Sequence, residues 1–348
     1  MTSGDGGRGT GRRGVLRAGA AAVLLGAVGC TSGAKSAVAP ASSPPTPHST
    51  DRPTPTPTTA PTTTEPPTQP PTPLPTPPLW QPGPGEIQPD VKRRAVELVA
   101  ALGAWPPGGQ APGAARARVA ALGLPPGLAD GAGRLAPAAP EAALEVIDAQ
   151  YGGILADSAS VLVVCRQWTR RPDGSVAAGG ITVDVRLSRA APRWTVTAVN
   201  PGDPGPATAS PAPAVAKVLA EPRIELPPEA AADLLSGTVH DTVLTAMLRL
   251  AGPYALSVSV VRTGHPLDVF GTTRPSDHPL GRAFDVWRID GRAVVDPATP
   301  RQLIESFMRD AAAAGSYNVG GPVAIAGVGN QFFTDDTHHD HVHVGFNS

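Results

Sequence analysis

Two stretches hold nearly all of the side chains that could do chemistry. SDHPLGRAFDVW (residues 276–287) sets His278 and Asp285 seven positions apart, and HHDHVHVGFNS (residues 338–348) sets four histidines around Asp340. Six of the eight histidines in the chain lie at or beyond His265. A strand sends alternate side chains to opposite faces. In RAFDVW this groups Ala283, Asp285 and Trp287 and leaves Phe284 and Val286 for a core; in HVHVGF it pairs His341 with His343, opposite Val342 and Val344. Two such strands side by side would offer polar ligands to one cleft above an apolar layer. His278 precedes its strand in a loop, and Gly281 lets that loop fold back toward Asp285. His339 has the parity of His341 and His343, so spacing alone leaves the choice among these three open. Two imidazoles and a carboxylate make a mixed nitrogen and oxygen donor set that suits Zn2+, with a fourth position left for water. Such a metal acidifies its bound water to a pKa of ~7, which is the basis of metal-assisted hydrolysis.

SxHxxGRAxD (residues 276–285), followed by DHxH (residues 340–343), resembles the LAS family of zinc peptidases. That family takes in lysostaphin-type endopeptidases, D-Ala-D-Ala carboxypeptidases and the hedgehog signalling domain. The resemblance implies that His278, Asp285 and His343 are the zinc ligands. It also implies Asp340 as the general base, His341 as a transition-state stabiliser and Ser276 as a substrate contact. One departure bears on specificity. Family carboxypeptidases carry an arginine shortly after a Ser/Thr-Gly pair, where it meets the substrate's terminal carboxylate. The comparable run here is Thr263-Gly264-His265-Pro266, with proline in that place, and Arg262 or Arg274 would have to bring the charge from another direction. An unpaired carboxylate in a cleft is costly, so the expected activity is that of an endopeptidase cutting peptidoglycan stem peptides or cross-bridges. The alternative is a non-catalytic zinc-containing module that binds cell wall.

The elements that must position these residues read as α+β. Residues 215–348 are expected to form a hedgehog/DD-peptidase-like domain, a small antiparallel sheet flanked by helices. Its helices are HDTVLTAMLRLAGP, with Asp241 as N-cap, and TPRQLIESFMRDAAAAG, with Thr299 as cap, Pro300 in the first turn and Gln302 completing a capping box. Its strands are YALSVSVV, RAFDVW and HVHVGF. Residues 201–214 read as a linker, and residues 87–200 as an accessory α+β domain. That domain shows a helix in VKRRAVELVAALGAW, a second in PEAALEVIDAQY, and three strands in ASVLVVCRQWT, ITVDVRLS and PRWTVTAVN. None of it carries an evident catalytic motif.

The first residues read as an address rather than a fold. Arg12 and Arg13 open a twin-arginine-type signal over residues 1–30, and the apolar AGAAAVLLGAVG leads to Cys30, placed as in a bacterial lipobox, although Ala27 stands where leucine is usual. A lipid on Cys30 would anchor the protein to the outer face of the cytoplasmic membrane. The Pro/Thr-rich segment of residues 31–86 cannot bury enough surface to offset its ordering entropy and reads as a disordered tether. With Cys30 lipidated, Cys165 has no disulfide partner. A net charge of -1 gives no concentrated basic face, which excludes a nucleic-acid partner. A monomer is expected. Replacing Arg12 and Arg13 by lysine should abolish export, checked by fractionating cells that express the tagged chain.

Overall fold

The computed structural model describes residues 72–329 and 331–348. The signal segment, Cys30 and the tether through residue 71 lie outside the described residues, which belong to one compact unit. Among the described residues no helix is long and apolar enough to cross a membrane. Residues 72–86 have no helix or strand, yet Trp80 packs against the first core and Glu86 meets Lys92, so the last part of the expected tether lies against the fold.

Helix α1 (Pro89–Gly103) starts with proline in its first turn, where the missing N–H is harmless. Val91, Ala95, Leu98, Val99 and Leu102 recur at helical spacing and are fully buried. After α2 (Pro112–Ala121) the chain enters an antiparallel meander of β1 (Ala142–Ile154), β2 (Ser158–Arg170), β3 (Val176–Ser188) and β4 (Thr195–Pro201). β2 is apolar without alternation because both of its faces are covered. Val161, Val163 and Cys165 join the core under α1, whereas Leu162 and Val164 pack on Val260 from the second half of the chain.

Residues 140–151, expected as a helix, form most of β1 instead. Alanine, leucine and glutamate favour a helix locally, but pairing with β2 along the whole segment decides the outcome. The glutamates become cross-strand partners, Glu145 of Arg166 and Glu141 of Arg170.

The second half opens with α3 (Pro213–Ala220), β5 (Ile224–Glu225), α4 (Pro228–Leu235) and α5 (Asp241–Leu250). There follow β6 (Leu256–Val258), β7 (Ala283–Ile289), β8 (Arg292–Ala293) and α6 (Arg301–Ala313). The last elements are β9 (Asn318–Gly320), β10 (Phe332–Phe333) and β11 (Val342–Gly345). The sheet runs β10-β9-β11-β7-β6-β5, with β8 on β7. Its centre is antiparallel as expected, but β10 on β9 and β5 on β6 pair in parallel. α5 and α6 cover one face through Val243, Met247, Leu250, Ile304, Phe307 and Met308.

Two caps differ from expectation. α5 is preceded by His240 rather than Asp241, and α6 starts at Arg301 with no side-chain cap bond. Thr299 donates its hydroxyl to Ala293 O at 2.6 Å, tying the helix start to β8 rather than to its own first turn.

Gly281 sets the last turn of the loop between β6 and β7. Its φ of +70° suits glycine, and a Cβ there would sit 2.2 Å from Thr238 O. Gly281 N donates to His278 O and Gly281 O accepts from His240 N, so the turn is fixed from both sides. Gly281→Ala is expected to destabilise the protein by more than about 1 kcal/mol through strain alone, measured by urea unfolding, with the segment carrying His278 displaced.

Candidate metal centre

The register of β11 on β7 sets His343 directly opposite Asp285. Val342, Val344, Phe284 and Val286 point into the core on the other face, as strand alternation requires. The Gly281 turn brings His278 down beside this pair. His278 Nε2, Asp285 Oδ1 and His343 Nδ1 are then each 3.1 Å from the other two. His278 and Asp285 are fully buried, and His343 is 7% exposed.

That triangle fits a divalent cation. A tetrahedral site with bonds of 2.0–2.1 Å spaces its ligand atoms ~3.3–3.4 Å apart. His278 Nδ1 donates to Val261 O at 2.8 Å, which leaves Nε2 as the ring nitrogen turned toward the carboxylate. Two ring nitrogens and a carboxylate oxygen gathered in a buried space are a donor set that a shared cation could take up. Burial alone would raise the Asp285 carboxyl, but the His278 and His341 rings and the hydrogen bonds from His278 and His343 hold it well below the usual carboxylate range. Burial, opposed by Asp285, lowers His343 to about 4 and keeps it neutral, as a metal ligand must be.

His265 also brings a ring nitrogen within 4.8 Å of the His278 and Asp285 donors. Its ring stacks on His278 with centroids 4.2 Å apart, and its Nδ1 lies 3.0 Å from Pro266 O. It therefore walls the site beside the tighter triangle. A second group of possible ligands is Glu86, His339 and Asp340, and Lys92 pairs with both of its carboxylates. There the side-chain ammonium already supplies the positive charge.

Lys92 rises from α1, fully buried, to Asp340 Oδ2 at 2.6 Å and to Glu86. Burial works against its charge, but Asp340, Glu86 and Asp148 together raise its pKa. The same Asp340 oxygen accepts from Tyr151 N at 3.0 Å, and Oδ1 lies 2.6 Å from His341 Nδ1. Both Asp340 oxygens are thus engaged. Burial is outweighed by Lys92 and His341, which hold Asp340 below its ordinary range. For His341, burial is overcome by Asp285 and Asp340, and the ring is pushed up to about 9.

A cleft of about 1330 Å³ opens over the triangle, lined by His265, His278, His338, His341 and His343 at its polar end. Ile154, Leu155, Val269, Phe270 and Phe333 form an apolar wall. Ser276 and Arg274 line this cleft, but Asp340 does not. Arg262 lies apart from it, on a neighbouring pocket of about 480 Å³, with its backbone N–H donated to Asp233 at 3.0 Å. Ser276 Oγ is 3.4 Å from His265 Nδ1. Cys30 lies outside the described residues.

Sequence reasoning missed Lys92, Gln150 and the Tyr151 amide, all from the half read as accessory. Lys92 left one trace. It shares a helix stripe with Ala95 and Val99, where a lone lysine needs a buried counter-charge. Comparison with protein-family models, with curated proteins and with solved structures finds no match.

Removing the ammonium strands two buried carboxylates. Lys92→Met should cost about 3–5 kcal/mol at neutral pH. The loss should shrink as pH falls and the stranded carboxylates protonate, measured by urea unfolding at two pH values.

Proposed function

We propose that this protein is an exported, membrane-tethered zinc peptidase that hydrolyses amide bonds in peptidoglycan stem peptides or cross-bridges. The observation that carries the reading is the 3.1 Å triangle of His278 Nε2, Asp285 Oδ1 and His343 Nδ1 beneath an open cleft. The resemblance to hedgehog/DD-peptidase-like folds and the lipidated Cys30 belong to the same proposal. Bound zinc would polarise the scissile carbonyl and supply a nucleophilic water.

His341 is the proton-handling group in this scheme. Asp340 fixes its Nδ1–H, leaving Nε2 for the cleft, where the imidazolium can donate to a developing oxyanion or give its proton to the departing amine, and the neutral ring so formed can take one from the next attacking water. This reassigns the part expected of Asp340. A carboxylate whose oxygens are held by Lys92, Tyr151 N and His341 is a weak acceptor for the proton of water, and it acts by orienting the ring. Arg274 at the cleft is the cation available to an anionic substrate group, since Arg262 faces another pocket. The cleft exceeds the usual ~300–1,000 Å³ of a small-ligand site, which suits an extended peptide and an endopeptidase.

The engagement of Asp340 favours a second reading, a zinc-holding module that binds wall peptides without cutting them. One comparison separates the two. The wild type should carry stoichiometric zinc, lost in His278→Ala, and should release new amines from muropeptides in a chelator-sensitive manner. His341→Ala should keep its zinc and lose about 10²–10³-fold in rate. Zinc-loaded wild type that binds wall fragments and turns over none of several cross-bridge types would leave the binding module standing.

A further inference from the structure

Asp285 Oδ1 points at the two histidine donors, and Oδ2 points the other way, toward β1. There it accepts from Gln150 Nε2 at 2.6 Å. Gln150 shares its strand face with Leu162, its partner across the β1–β2 pair, and this face looks onto the second half of the chain. The next cation near Oδ2 is His341 Nε2 at 3.8 Å, beyond hydrogen-bond range. Gln150 is therefore the direct side-chain donor to that oxygen among the described residues.

The carboxamide is also held at its other end. Ser259 donates its hydroxyl to Gln150 Oε1. Ser259 N in turn donates to Asp285 O at 3.0 Å, and Asp285 N donates to Val260 O at 2.9 Å. The hydrogen bonds close a ring that runs from the Asp285 backbone through Ser259 and Gln150 to the Asp285 carboxylate. Turning the amide over would press Oε1 against an anion, so the ring fixes which end faces the ligand. Gln150 is 1% exposed and Ser259 is 1% exposed, so water does not compete for either group.

We propose that Gln150 is a positioning residue of the metal centre, contributed by the half of the chain that holds none of the ligands. The proposal rests on the metal reading of the preceding subsection. By occupying Oδ2, Gln150 turns the carboxylate so that Oδ1 alone is offered to the ion. One-oxygen binding preserves an open coordination position, and a hydrogen-bonded ligand carboxylate is a stronger partner for the metal. Ser259 acts one step farther out, through Gln150.

The test titrates Zn2+ and Co2+ into the metal-free full chain and records affinity together with the visible absorption of bound Co2+, which reports coordination number. Gln150→Met keeps volume and removes the donor. It should weaken Zn2+ binding by about 10–100-fold and alter the Co2+ spectrum, with cooperative unfolding retained. Ser259→Ala should lose less. The double variant should be little weaker than Gln150→Met alone, because the Ser259 hydroxyl reaches the carboxylate through Gln150 and its other bond is a 3.4 Å one to Asp285 O. Wild-type affinity and spectrum in Gln150→Met would overturn the proposal, as would losses that multiply in the double variant. If Gln150→Met does not fold, unchanged affinity and spectrum in Ser259→Ala would overturn it. A wild type that binds neither ion sinks the metal reading and this proposal together, whereas a wild type that binds and a Gln150→Met that binds equally sinks this proposal alone.

Discussion

Two ring nitrogens and a carboxylate oxygen stand 3.1 Å apart in a dry interior, and the surrounding structure holds them there. Two come from adjacent strands whose register makes them neighbours, and the third from a loop whose turn only glycine fits. The other faces of the same strands carry Phe284, Val286, Val342 and Val344 into the core. Sliding either strand by one residue would exchange the polar side chains of the triangle for core ones. Hydrophobic burial on one face thus sets the polar geometry on the other.

Outside the triangle, charge is compensated in a chain. Lys92 answers Asp340 and Glu86, Asp340 answers His341, and His341 stands 3.8 Å from Asp285. Because the members are buried, each interaction is little screened, and altering one shifts the rest. The expected division into an accessory domain and a zinc-peptidase-like domain is therefore a division of sequence more than of chemistry. The meander and α1 supply the ammonium, the carboxamide and the backbone amide on which the centre leans.

What the sequence made legible followed from short-range rules. Alternation in RAFDVW and HVHVGF assigned the faces of β7 and β11, and the glycine between His278 and Asp285 announced a turn. The apolar stripes of α1, α5 and α6 were equally plain. The failures share a cause. PEAALEV has helix-forming residues, and only its partner strand, some twenty residues on, makes it β1. Thr299 had the composition of a cap and found a better acceptor in β8. Gln150 resembles any polar residue on a strand, since its meaning lies in a carboxylate 135 positions away. The family resemblance singled out Asp340, but its engagement by Lys92 was invisible without the packing of α1.

Those separations govern the order of events during folding. The amide of Tyr151 meets Asp340 across 189 positions, and Gln150 meets Asp285 across 135. Contacts so remote form slowly, because a long loop must close before any reward is collected. On the proposed metal reading, ion capture with its full supporting shell would be a late step, available only once the meander has docked on the second sheet. A chain carried across a membrane already folded would arrive with this step complete, whereas one threaded through unfolded would have to find its metal on the far side.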